Sequence, residues 1–134
     1  LSTVTEQELS AVAVAPRVTP ADIQAAIASA HCFTAAEGTL GCNAMRAISD
    51  ERVGDIKWDT ARPLALLTIC VLVLHNGFTV TGTSACASPE NFDANIGRRL
   101  ARADAERQLW PLLGYALRDR LHAQALYGER VDAA

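Results

Sequence analysis

Residues 67–105 read LTICVLVLHNGFTVTGTSACASPENFDANIGRRLARADA, and the fold turns on this stretch. The apolar, β-branched run from Leu66 to Leu74 reads as a buried strand. Asn76-Gly77 follows, a strong hairpin signal, because a type I′ turn needs positive φ at both central residues. The alternating run after it reads as the returning strand. A two-residue loop puts His75 opposite Phe78, Leu74 opposite Thr79, Val73 opposite Val80 and Leu72 opposite Thr81. One face then carries Ile69, Val71, Val73, His75, Phe78, Val80 and Gly82, and the other Cys70, Leu72, Leu74, Thr79, Thr81 and Thr83. Both faces are partly apolar, so helices or another subunit are expected to cover them. A lone hairpin is marginal. Further strands are expected from the middle of the chain or from a partner.

Downstream, Ser88-Pro89-Glu90 reads as a helix start: a cap, a proline in the first turn and an acid at the positive end. The helix is expected to run to about Leu109. Phe92, Ile96, Leu100 and Ala103 form its expected buried stripe. Asn91, Asn95, Arg98 and Arg102 form a polar flank, with Arg99 between the two. Pro111 breaks the chain after Trp110, and a last helix from Leu112 to about Tyr127 lines up Leu113, Leu117 and Leu121. Upstream, Thr19 caps PADIQAAIASAH, with Pro20 in the first turn and Ile23 and Ile27 four apart; this helix is expected to end near Ala30. Residues 34–63 carry either a short helix around Ala44 to Ile48 or an extended loop. Residues 1–18 read as a flexible arm, 19–128 as one domain and 129–134 as a flexible tail.

The chain of 134 residues is long enough for one modest core. Net charge is −3, a poor match for duplex DNA. The first 62 residues hold five basic and eight acidic side chains, and the rest hold seven of each. Eleven of the twelve basic residues are Arg, which suits bidentate phosphate contacts better than Lys, although a GC-rich genome gives the same bias. Cys32, Cys42, Cys70 and Cys86 show no C-x-x-C spacing and no zinc pattern with His31, His75 and His122. Without a legible signal peptide they are expected to be reduced thiols in a cytosolic protein. The longest apolar run is too short to span a bilayer.

No nucleophile–base pair, phosphate loop, paired catalytic carboxylate or metal motif declares itself, and no cofactor is implied. The Asn/Arg flank is more informative. Guanidinium and amide groups on one stripe can hold phosphates and sugar hydroxyls, and Phe78 can stack on a base. The plainer alternative is a solvated helix face and a core Phe.

The run TICVLVLHNGFTVTGTSACASPENFDANIGRRLARADA, followed by WPLLGYAL, resembles the small phage family known as gp-forty-nine-like; TPADIQAAI near the start is similar too. The resemblance covers residues 18–33 and 64–121. It implies likeness to the Thoeris anti-defence sponges of the first type. Those proteins sequester glycocyclic ADP-ribose signals without cleaving them, and some hold cyclic oligonucleotides from cGAS-like enzymes at separate sites in a hexamer. By resemblance, Phe78 stacks on the ligand, and Asn91 of the Pro-x-Asn-Phe motif and Arg98 of the IGR motif contact it. Ser88 stands where such proteins often carry Asn. Arg102-Ala103-Asp104-Ala105 stands where relatives often show Arg-Glu-Asn-Ala, and an acid at Asp104 puts the preferred signal in question.

The expectation is therefore an α+β domain: a small antiparallel sheet on a hairpin at about 66–84, an N-terminal helix and two C-terminal helices. The expected function is a non-enzymatic sponge in the host cytoplasm. Phe78, Ser88, Asn91, Asn95, Arg98 and Arg102 are its ligand contacts, and glycocyclic ADP-ribose or a cyclic oligonucleotide is its small partner. A homo-oligomer, dimer or hexamer, with no DNA or membrane partner, completes the reading. The alternative is a phage adaptor that binds a host protein through the Trp110–Tyr115 surface.

Overall fold

The computed structural model describes residues 3–48 and 58–133. Its helices are α1 (Glu6–Val12), α2 (Pro20–Ala26), α3 (Ala35–Ile48), α4 (Trp58–Ala65), α5 (Ala94–Arg107) and α6 (Leu109–Ala133). Its strands are β1 (Ile27–Thr34), β2 (Leu67–Leu74) and β3 (Thr79–Ala85), in the order β1-β2-β3. Both strand pairs are antiparallel, so the expected α+β class holds. Among the described residues no helix is long and apolar enough to cross a membrane.

The third strand lies where a helix was expected to continue to Ala30. Thr19 does cap α2: its hydroxyl accepts from the Asp22 amide at 3.2 Å and the Asp22 carboxylate accepts from the Thr19 amide at 2.8 Å. But α2 stops at Ala26, and Ile27–Thr34 runs alongside β2, with Ala30 opposite Leu72 and Cys32 opposite Cys70. The register slips between Ile27 and Ser29, which leaves Ala28 as an extra residue on the strand.

The hairpin exists, but its register differs from the expected one by a residue. Val73 faces Thr79 and Leu72 faces Val80. The Gly77 amide donates to the Leu74 carbonyl at 2.9 Å and the Leu74 amide to the Phe78 carbonyl at 2.8 Å. Gly77 has φ +89°. This is a three-residue loop: a turn through His75 and Asn76, then Gly77 in the left-handed region as a bulge. Asn76 Oδ1 accepts from the Phe78 amide at 3.0 Å and steadies it. The longer loop turns Val80 and Gly82 onto the face of Cys70, Leu72 and Leu74, and leaves Thr79, Thr81 and Thr83 opposite, exposed.

The core sits between that face and α5. Cys70, Leu72, Ala101, Ala105 and Leu109 are fully buried, with Ile23, Leu74 and Val80 around them. The expected buried stripe on α5 is therefore corrected. Gly97, Ala101 and Ala105 face the sheet, while Ile96 and Leu100 are about half exposed, at 51% and 55%. Close backbone approach explains it: a Cβ on Gly82 would lie 2.1 Å from the Ala101 carbonyl oxygen. Only a helix face of small residues fits so near a strand.

The ends and the middle also differ from expectation. Residues 6–12, read as part of a flexible arm, form α1, whose capping box uses Thr5 and Glu8 and whose Glu6 pairs with Arg17. The middle segment forms α3 and α4, longer than the short helix or loop expected; residues 49–57 lie outside the described residues. The chain breaks at Gln108, not after Trp110, so Pro111 sits in the first turn of α6, where its missing N–H costs nothing. That helix runs through the expected tail to Ala133.

Candidate ligand-binding surface

The chain leaves β3 at Ala85 and reaches α5 through a loop that defines the candidate surface. Pro89–Asn91 is a single tight 3-10 turn, and Ser88 makes no side-chain cap bond to it. Phe92 is extended, and the true cap of α5 is Asp93, whose Oδ1 accepts from the Ile96 amide at 3.0 Å. The expected cap at Ser88 is thus corrected by five residues, since α5 begins at Ala94 and its cap is Asp93. Asn91 precedes the helix and leaves the polar stripe. Asn95, Arg98 and Arg102 keep it at i, i+3, i+7.

A pocket of about 220 Å³ opens between this loop and the end of the sheet. Asn91, Phe92 and Asp93 line one side, Ser84 and Cys86 another, and the exposed Ile96 and Leu100 form part of its wall. Cys86 Sγ donates to the Ser88 carbonyl at 3.2 Å, which ties the loop to the strand end. On the other flank of α5 lies a smaller cavity of about 50 Å³, walled by Arg98, Glu37, Thr34 and Cys32. Thr68 borders both. Its hydroxyl is buried and has no hydrogen-bond partner among the described residues. Gly97 makes room for it, since a Cβ there would come 2.7 Å from that oxygen.

The expected contact residues divide into groups. Ser88 and Asn91 lie on the loop, and Asn91 enters the larger pocket. Asn95 is exposed on α5. Arg98 is exposed, lines the smaller cavity and pairs with no carboxylate among the described residues. Arg102 is engaged within the chain: Nε donates to Glu106 at 2.8 Å and an NH2 to the Gln24 side chain at 3.4 Å. Phe78 stands apart, 55% exposed beside the hairpin turn, so it is not a core residue. The length of β3 separates it from Asn91, roughly 20 Å at the usual rise per residue.

Asp104 faces the sheet edge. Its Oδ2 accepts from the Thr83 amide at 2.9 Å and its Oδ1 from Arg107 at 2.8 Å. The Thr83 N–H, then Arg107, hold its carboxyl below the usual carboxylate range. Residues that sequence reasoning missed come from remote segments: Glu37 and Thr34 from the β1–α3 junction, and Thr68 from β2. Among the described residues no three His, Cys, Asp or Glu side chains gather as a metal site.

A family model described as phage protein (N4 Gp49/phage Sf6 gene 66) matches residues 18–121, and the chain belongs to that family. No curated protein and no solved structure matches it.

Proposed function

We propose that this phage-family protein is a sponge: it binds a cyclic, nucleotide-derived signal in the host cytoplasm and holds it without cleaving it. The observation that carries the reading is Arg98. It is exposed and unpaired among the described residues, one flank of α5 away from the Asn91 pocket. A free guanidinium beside amide and hydroxyl groups suits a diphosphate and its ribose. Asn95 lies on the same helix, Ser88 borders the loop, and Arg102 can turn from Glu106 to a phosphate. The likeness of the NGF, Pro-x-Asn-Phe and IGR motifs to the Thoeris sponges supports glycocyclic ADP-ribose as the ligand class, with cyclic oligonucleotides second.

One copy makes an incomplete site. A pocket of about 220 Å³ is smaller than the ~300–1,000 Å³ that encloses a small molecule. Phe78 is too far along β3 to share a ligand with Asn91 of the same chain. A homo-oligomer, a dimer or hexamer, resolves both problems if Phe78 of one copy stacks on the ligand that Asn91 and Arg98 of the next copy hold. Exposed Ile96 and Leu100 offer apolar area for that contact.

The test is isothermal titration with glycocyclic ADP-ribose isomers and cyclic oligonucleotides, followed by heat release and mass analysis of the bound molecule. Intact ligand recovered stoichiometrically supports the sponge; a cleaved product overturns it. Phe78→Ala is expected to weaken binding by roughly 1–3 kcal/mol, the value of one base–aromatic stack. Arg98→Ala should abolish measurable binding. Mixing those two variants should restore a fraction of the sites, because each mixed interface can hold one intact pair. No recovery would overturn a site shared between copies.

A second reading has its own support. Trp110, Leu112 and Tyr115 are exposed at 40%, 38% and 76%, an aromatic patch at the start of α6 that fits an adaptor binding a host protein. Failure of every nucleotide ligand to bind would favour it.

A further inference from the structure

Two thiols meet in the sheet. Cys32 on β1 lies directly opposite Cys70 on β2, and their sulfurs are 2.7 Å apart. The hydrogen-bond ladder fixes what kind of pair this is. Leu74 exchanges hydrogen bonds with the hairpin side, and the Leu66 carbonyl accepts from Cys86 on that side, whereas the His75 amide donates to Ala26 on the β1 side. Backbone bonding in a central antiparallel strand alternates. Even-numbered residues of β2 therefore bond toward β3 and odd-numbered ones toward β1. Cys70 and Cys32 form a non-hydrogen-bonded pair, the kind in which Cα atoms approach to about 4.5 Å and side chains lie closest.

The two thiols differ in access. Cys70 is fully buried under α5. Burial, then the Cys32 thiol beside it, pushes its pKa up to about 12. Cys32 is partly exposed and lines the small cavity with Arg98 and Thr68. All four cysteines are free, so the pair is present as a dithiol.

We propose that Cys32 and Cys70 form a redox-modification site that accepts oxidation by a low-molecular-weight disulfide and closes into a cross-strand bond. The steps balance. Deprotonated Cys32 Sγ attacks one sulfur of the small disulfide, RSSR; that S–S bond breaks, a mixed Cys32–S–S–R bond forms and one thiolate leaves. Cys70 then gives up its proton, and its sulfur attacks Cys32 Sγ. The mixed bond breaks, the protein disulfide forms and the second thiolate leaves. Two protein thiols are oxidised, one small disulfide is reduced, and two RSH result. The Cα separation of about 4.5 Å usual for such a pair lies at the short end of the range for a disulfide, and less than about 1 Å of sulfur movement brings the atoms from 2.7 Å to bonding distance. Closure ties β1 to β2 and removes the Cys32 thiol from the cavity beside Arg98.

The test uses the full chain carrying Cys42→Ser and Cys86→Ser, so that only the pair remains. Incubation with glutathione disulfide should lower the intact mass by about 2 Da, for two hydrogens lost. It should also abolish alkylation under denaturing conditions and join the Cys32 and Cys70 peptides in a non-reduced digest. The melting temperature should rise and return to its starting value with reductant. Adding Cys70→Ser should instead trap one glutathione on Cys32. Two alkylatable thiols after prolonged exposure, or a mixed disulfide at Cys32 that never resolves while Cys70 is present, would overturn the proposal.

Discussion

At the β3 edge of the sheet, two side chains, one from α5 and one from its C-cap, reach the backbone. Asp104 accepts from the Thr83 amide at 2.9 Å and Gln108 Nε2 donates to the Thr81 carbonyl at 2.6 Å. These are the groups that the alternation of the ladder points away from β2. They are one helical turn apart on α5, as Thr81 and Thr83 are one pleat apart on β3. At the β1 edge nothing comparable is found among the described residues. The Thr34 amide donates to Glu37 at 3.2 Å at the strand's end, and Ala28 interrupts the register at its start. Open edges invite another strand, and chains blunt them with charge, bulges or cover. Here one edge is capped by its own helix, and the other, among the described residues, carries a bulge and one contact at its end. The capped edge is a consequence of how near α5 sits, and that nearness is set by one residue.

Breaking that nearness should have the largest effect. A Cβ on Gly82 would meet the Ala101 carbonyl oxygen at 2.1 Å and the Ala105 amide nitrogen at 2.3 Å, both backbone atoms that cannot step aside. Gly82→Ala is expected to cost at least about 3 kcal/mol, the upper end of overpacking penalties, and to expose β3 to aggregation. Urea unfolding checks it. Gly114→Ala is the contrasting case: nothing lies within 4 Å of its added Cβ. That variant should stabilise α6 by about 0.4–1 kcal/mol. Equal midpoints for the two variants would mean α5 does not press on the sheet at Gly82.

The same contact shows where sequence reading ran out. The hairpin is legible because Asn76-Gly77 lies between a β-branched run and an alternating one. Its register is not, because Asn-Gly serves both a two-residue turn and a three-residue loop with Gly77 as the bulge. The buried side of α5 was misjudged because a hydrophobic wheel weights Ile96 and Leu100, whereas the sheet selects Gly97, Ala101 and Ala105 for size. β1 was hidden because α2 runs into it with no Gly or Pro between, and Ile23 and Ile27 share helical spacing. At the site, the polar spacing of Asn95, Arg98 and Arg102 survives on α5. The cavity beside Arg98 was not legible, since Glu37 and Cys32 reach it from more than fifty residues upstream.

Asp104 gives the next effect in size. Asp104→Ala removes the acceptor for the Thr83 amide at the strand edge, and the melting temperature should fall by a few degrees. Asp104→Asn keeps an acceptor and should fall less. The pH dependence separates the two roles of the carboxylate. Its folded-state pKa lies below the ordinary 3.8, through the Thr83 N–H first and Arg107 second. The stability it contributes is thus fully present above that ordinary value and is lost as pH falls through the depressed one. The parent should lose stability to acid over that window more steeply than Asp104→Asn. Parallel acid curves would mean that the Thr83 contact is not populated in solution.

The smallest effect on folding is expected at the open edge, and it sharpens the comparison most. Ala28 is exposed and sits at the register slip of β1, outside the core. Ala28→Lys adds a solvated charge there and should leave the unfolding midpoint within about 0.5 kcal/mol of the parent, as surface substitutions usually do. A charge on an edge strand opposes pairing with a second copy of that edge. Within an oligomer built along β1, such a charge beside the new ladder would raise the dissociation constant. The Asp104-capped edge is then a control. Gln108→Lys, placed on the edge that α5 already covers, should not change the assembly state. Light scattering across a micromolar dilution series reads both. Dissociation by Ala28→Lys alone would identify β1 as the edge through which copies join. An unchanged assembly with both variants would move the contact to the exposed faces of α5 and α6, where Leu100 and Tyr115 stand clear of the fold at 55% and 76% exposure.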